Sequence, residues 1–124
     1  MGDKVNLELT EQESTGVVVF KTNSLSNLDE IKSIADKVYD FVTGNKLKKV
    51  IIDFSEVQFF SSQVLGMLLN VRTKLQPFKG EVIISAINPR LYRVFRITNL
   101  DKIFRFFPDR QAALDAVSSC NQKK

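Results

Sequence analysis

Val50-Ile51-Ile52-Asp53-Phe54-Ser55, continued by Glu56-Val57-Gln58-Phe59-Phe60-Ser61-Ser62-Gln63-Val64-Leu65-Gly66, decides the reading of this chain. An unbroken apolar run that ends in an acid is the pattern of a strand covered on both faces and closed by a turn. Two adjacent serines then open a segment whose apolar residues recur at helical spacing. A serine oxygen at a helix start ordinarily accepts an orphan backbone N–H of the first turn. The same place suits a phosphate, because the positive end of the helix dipole stabilises an anion there.

Working outward, Val5–Thr10 alternates apolar and polar residues, as a half-buried strand does. Gly16 reads as a turn before the β-branched strand Val17–Phe20. The polar loop Asn23–Asn27 supplies helix caps. Leu28, Ile31, Ile34, Val38 and Phe41 then recur through about Thr43, and Gly44-Asn45 ends that helix. After the serines, Val64, Leu65, Met67, Leu68, Leu69, Val71, Arg72 and Leu75 mark two neighbouring faces of a helix that Pro77 stops near Gln76. Glu81–Ala86 reads as another strand, and Asn88-Pro89 opens a short helix with Leu91, Val94 and Phe95 inward. Ile103–Phe107 reads as the last strand, and Pro108-Asp109 begins a final helix to about Ser118. The order β-β-α-β-α-β-α-β-α predicts a single α/β domain over residues 1–120, a mixed, largely parallel sheet covered by about four helices, with a polar tail at 121–124. In such sheets functional loops gather beyond the carboxyl ends of the strands, which is where Ser61-Ser62 and Asn23–Asn27 fall.

Composition narrows the chemistry. The 124 residues contain no histidine and one cysteine, so Ser-His-Asp and Cys-His catalysis and the usual zinc sites are excluded. No GxGxxG or GxxxxGK[ST] loop occurs. No cofactor, metal or catalytic residue is therefore expected. Cys120 reads as an incidental thiol in a polar tail, and the N-terminus lacks a signal-peptide or myristoylation pattern, so a cytoplasmic protein with no membrane association is expected.

Charge is uneven. Residues 1–86 hold ten Lys/Arg against eleven Asp/Glu, whereas residues 87–124 hold eight against three, giving the net +4. Arg90, Arg93, Arg96, Lys102, Arg105 and Arg110 read first as a solvated basic face and next as an acidic-partner surface. Nucleic acid is not an expected partner, for no recognised binding module is present. Asp53 and Ser55 read as a strand-end turn, since no second acid or base accompanies the carboxylate. Phe104, Phe106 and Phe107 read as core. Phe59-Phe60 reads as a second core anchor, with one ring of the pair left open to be exposed as an interface hot spot.

The residues Asp53, Phe54, Val57, Phe59-Phe60, Ser62, Leu65, Gly66 and Leu68-Leu69 resemble the signature of the STAS domain family, typified by bacterial anti-sigma-factor antagonists. The ending Asn88-Pro89, Val94-Phe95, Ile97-Thr98, Leu100 and Phe104 extends the resemblance over most of the chain. The pattern departs at Ser61, Gln63 and Val64, where the family carries Asp, Ser and Gly. Gly66 is retained and is expected to permit close packing.

The resemblance implies a non-enzymatic regulator of transcription that binds an anti-sigma factor or related serine kinase, the ATP being held by that partner. It implies phosphorylation at Ser62, with Ser61 as alternative acceptor, and a phosphatase as a further partner. The partner surface it implies comprises Asn23, Ser24, Ser26, Ser55, Glu56, Gln58, Ser61, Ser62, Gln63 and Leu65, on a monomer or weak dimer. A scaffold or sensor-output domain in a larger assembly, without phosphorylation, and a small-ligand-binding domain are the alternatives.

Overall fold

The computed structural model describes residues 7–122 apart from Glu13 and Lys46. Among the described residues, eleven strands and α-helices follow in order: β1 (Leu7–Gln12), β2 (Thr15–Phe20), β3 (Ser24–Leu25), α1 (Leu28–Gly44), β4 (Lys49–Asp53), β5 (Phe59–Phe60), α2 (Ser62–Leu75), β6 (Glu81–Ser85), α3 (Pro89–Ile97), β7 (Arg105–Phe107) and α4 (Arg110–Gln122). Five strands form one sheet in the order β1-β2-β4-β6-β7, antiparallel only between β1 and β2. This is the mixed, largely parallel α/β sheet the alternation predicts. The two-residue strands β3 and β5 were not expected; they pair parallel with each other in a separate ladder.

The strand period of two sorts the core between the faces. Val18, Phe20, Val50, Ile52, Val82 and Ile84 join the larger cluster with the inner faces of α1, α2 and α3. Val17, Val19, Ile51 and Ile83 pack instead against Ala113 and Val117 of α4. Because both faces are covered, the central strands read as continuous apolar runs. A row of edge-to-face rings runs through the larger cluster: Phe20 to Phe54 at 5.3 Å, Phe54 to Phe60 at 5.7 Å, and Phe60 to Phe95 at 6.0 Å between centroids.

Several local expectations change. Gly16 is not the turn; it is the second residue of β2, and Ser14, left-handed at φ 66°, takes the turn instead. A Cβ at Gly16 would collide with the side chains of Leu47 and Phe41, so side-chain packing over the strand, not turn geometry, favours glycine there. Leu28 opens α1 exposed, at the edge of its buried stripe. The last strand shortens to three residues because Leu100–Lys102 winds into a 3-10 turn. Helix α4 runs past Ser118 and absorbs Asn121 and Gln122 of the expected tail. Val5, Lys123, Lys124 and the surroundings of the Cys120 thiol lie outside the described residues. No helix among the described residues is long and apolar enough to cross a membrane.

Candidate partner-binding edge

Because β2 and β4 run parallel, their carboxyl ends reach the same edge of the sheet. From there one chain segment leads into β3 and the other into β5, and main-chain bonds stitch them together. The carbonyl of Asn23 accepts the N–H groups of Gln58 at 2.8 Å and Phe59 at 3.1 Å. The carbonyl of Leu25 accepts that of Ser61 at 2.9 Å. Alternation across the short ladder turns Leu25 and Phe60 into the core and leaves Phe59 outside, 54% exposed. The choice that the Phe59-Phe60 pair left open is thereby made: Phe60 anchors and Phe59 faces solvent.

The serine positions follow from this stitching. Ser61 occupies the N-cap position of α2 with extended backbone (φ −89°, ψ 167°), but no side chain caps the helix. The Ser61 hydroxyl donates to Gln63 Oε1 at 3.1 Å instead of accepting a first-turn N–H. The expected serine cap is thus absent, and two of the positions that depart from the family pattern bond to each other. Ser62 is the first helical residue and is exposed. The first turn of α2 holds no acidic residue, so nothing on the helix itself offsets its positive dipole end.

Lys21, Thr22, Asn23, Glu56 and Gln58 surround an open polar groove of about 570 Å³ beside this edge. Lys21 Nζ meets Glu56 Oε2 at 3.3 Å across it, with both side chains about half exposed. Such a pair contributes little stability. Ser24 and Ser26 approach each other at 3.3 Å between hydroxyls on the outer side of β3. Lys21 and Thr22 were missed by sequence reasoning; their position directly after β2, at the carboxyl edge, is the signal that finds them.

Two residues of the expected surface stand apart. Ser55 lines a separate cleft of about 370 Å³ with Asp53, Asp109 and Arg110, on the side covered by α4. There Asp53, 2% exposed, accepts the Ser55 N–H at 2.9 Å and the Ser85 hydroxyl at 3.1 Å, and lies 3.8 Å from Arg110 Nε. That is the strand-end turn read from sequence, with the buried carboxylate satisfied by partners. Leu65 is a correction: it is 8% exposed and packs in the core, because it lies on the inward stripe of α2 with Val64 and Leu68.

Gly66 is a second correction. It is exposed, and a Cβ there would meet nothing within 4 Å, so close packing does not require it. Gly66→Ala should therefore stabilise the fold by about 0.5–1 kcal/mol, the usual gain for an exposed helix interior. Urea unfolding measures this, and a lower midpoint would mean that the position is sterically constrained after all. Among the described residues no three metal-ligating side chains gather.

Comparison with known proteins agrees with this architecture. Residues 7–113 match the STAS domain. A Thermotoga neapolitana protein, named as a homologue among the anti-sigma factor antagonists, is 27% identical over 101 residues, covering 82% of this chain and 89% of its own. The anti-sigma-B factor antagonist of Listeria monocytogenes is 26% identical over 101 residues, covering 80% and 85%. The unphosphorylated form of the anti-sigma factor antagonist SpoIIAA superposes with a TM-score of 0.80 at 19% identity, covering 91% of this chain and 96% of that one. Its phosphorylated form gives 0.71 at 21% identity, covering 90% and 98%. At these identities the two solved structures establish a common fold. With most of its length matched, the chain belongs to the STAS domain family.

Proposed function

We propose that this chain is an anti-sigma factor antagonist that binds a serine-kinase anti-sigma factor through the β3–β5 edge and the first turn of α2, and that phosphorylation of Ser62 releases it. As a STAS-family regulator it is not an enzyme; ATP belongs to the partner. The observation that carries the reading is the placement of Ser62: exposed, first in α2, in a turn without acidic residues, on the edge where Phe59 is bare. A phosphoserine brings a charge of about −1.5 to −2, which a helix N-terminus accommodates without unfolding. The same charge, set into a fitted apolar contact around Phe59, repels or strands a desolvated anion. Ser61 is the poorer acceptor because its hydroxyl is already engaged by Gln63. The two solved forms of SpoIIAA and the name of the Listeria protein support the reading by kinship. A phosphatase resets the switch, and the protein works in the cytoplasm as a monomer or weak dimer.

Incubation with the anti-sigma kinase of the source organism and ATP should place one phosphate on Ser62, as read by peptide mass spectrometry. Ser61→Ala should keep it and Ser62→Ala should lose it. Absence of phosphate from both serines, or undiminished labelling of Ser62→Ala, would reject the switch.

A further inference from the structure

Helix α3 carries a second unusual surface. It turns Leu91 and Phe95 into the core, 5% and 0% exposed. On its opposite side Arg90, Arg93, Arg96 and Ile97 share a face, Arg93 four residues and Arg90 seven residues before Ile97. Ile97 is 73% exposed, the most exposed large apolar side chain among the described residues. The 3-10 turn Leu100–Lys102 packs against α3, and Ile103 directly after it is 40% exposed. The six cations read from sequence as a basic face do not form one. Arg105 pairs with Glu81 and Arg110 with Asp53, whereas Arg90, Arg93, Arg96 and Lys102 have no ion-pair partner among the described residues.

We infer that this face is a second docking surface, built for an acidic protein segment that carries an aliphatic side chain over Ile97. Charge complementarity sets the sign of the partner. Three of the four free cations are arginine, whose planar fork grips carboxylates in pairs. The apolar centre sets its class. A nucleic acid would leave Ile97 uncovered, and the face presents no fully exposed aromatic side chain for a base to stack upon. A lipid surface takes a broad apolar stripe, and that of α3 is consumed by the core. The inference goes beyond the Ser62 switch: α3 begins beside the β4–β5 connection, where Asn88 Nδ2 donates to Val57 O at 3.3 Å, but its outer face does not include Ser62. A partner held here stays bound when Ser62 is phosphorylated.

The test is an NMR shift titration of the full chain with two synthetic peptides of equal charge, an acidic amphipathic helix with a leucine stripe and plain polyglutamate. The leucine peptide should shift Arg90, Arg93, Arg96, Ile97, Lys102 and Ile103. The double substitution Arg93→Glu, Arg96→Glu should weaken it about tenfold. Ile97→Ser should weaken it about fivefold and leave polyglutamate unchanged. These positions are exposed, so folding is spared. Ser62→Asp should change neither titration, which separates this proposal from the switch. Equal binding of the two peptides, an inert Ile97→Ser, shifts on another face, or tighter binding to DNA or phosphatidylglycerol vesicles would overturn it.

Discussion

Phe59→Ala should weaken binding to the anti-sigma factor by about 30- to 1,000-fold, the equivalent of about 2–4 kcal/mol for an aromatic hot spot. Phe59 is 54% exposed although its neighbour Phe60 is 6% exposed, and nothing in the fold requires a phenylalanine on the outside. Its backbone N–H is held by the Asn23 carbonyl, so the ring is presented from a stitched edge and not from a loose loop. Such a residue gives up little conformational freedom on binding. The substitution should move the urea midpoint by no more than the ordinary surface effect, about 0.5 kcal/mol. Affinity by calorimetry, with unfolding measured on the same protein, checks both halves. A dissociation constant within threefold of the parent would place the contact elsewhere.

Phe95→Ala should cost about 3–5 kcal/mol of folding stability. Phe95 is fully buried, and its ring meets Phe60 at 6.0 Å, Phe104 at 6.1 Å and Phe106 at 5.3 Å edge to face. Deleting it removes the node where α3, β5 and the approach to β7 converge. Against a total of about 5–15 kcal/mol this is a large share, and the urea midpoint should fall by about 2 M. A functional consequence follows, because Phe60 loses its neighbour and β5 carries Ser61 and Ser62 directly behind it. Partner affinity should fall even under conditions in which the variant is still folded. A midpoint loss below about 0.5 M would contradict the packing described.

The strands β2, β4 and β6 were legible because burial on both faces writes them as unbroken β-branched runs, and α1 and α2 because their inward stripes are long. The ladder of β3 and β5 was not legible. Two residues carry no period, and the partners lie 35 positions apart in Ser24 and Phe59. That hidden ladder is also what orients the site, so the inward and outward roles of Phe60 and Phe59 could not be separated beforehand. Motif spacing located Ser61 and Ser62 correctly at the start of α2, but not the bond from Ser61 to Gln63, which depends on side-chain geometry. The inward turn of Leu65 was written in the helical stripe with Leu68 and Leu75, and the motif reading gave it to the surface. Gly66 was misread for a related reason: a glycine in a helix suggests close packing, and only the packed structure shows open space beside it.

The most direct measurement is the affinity of the anti-sigma kinase for two preparations of this chain, unmodified and stoichiometrically phosphorylated on Ser62, with Ser62→Ala alongside. The unmodified protein should bind tightly, Ser62→Ala should bind within about threefold of it, and phosphorylation should cost at least about 100-fold, as expected when a doubly charged group enters an apolar contact. Equal affinity of the phosphorylated and unmodified proteins would contradict the switch.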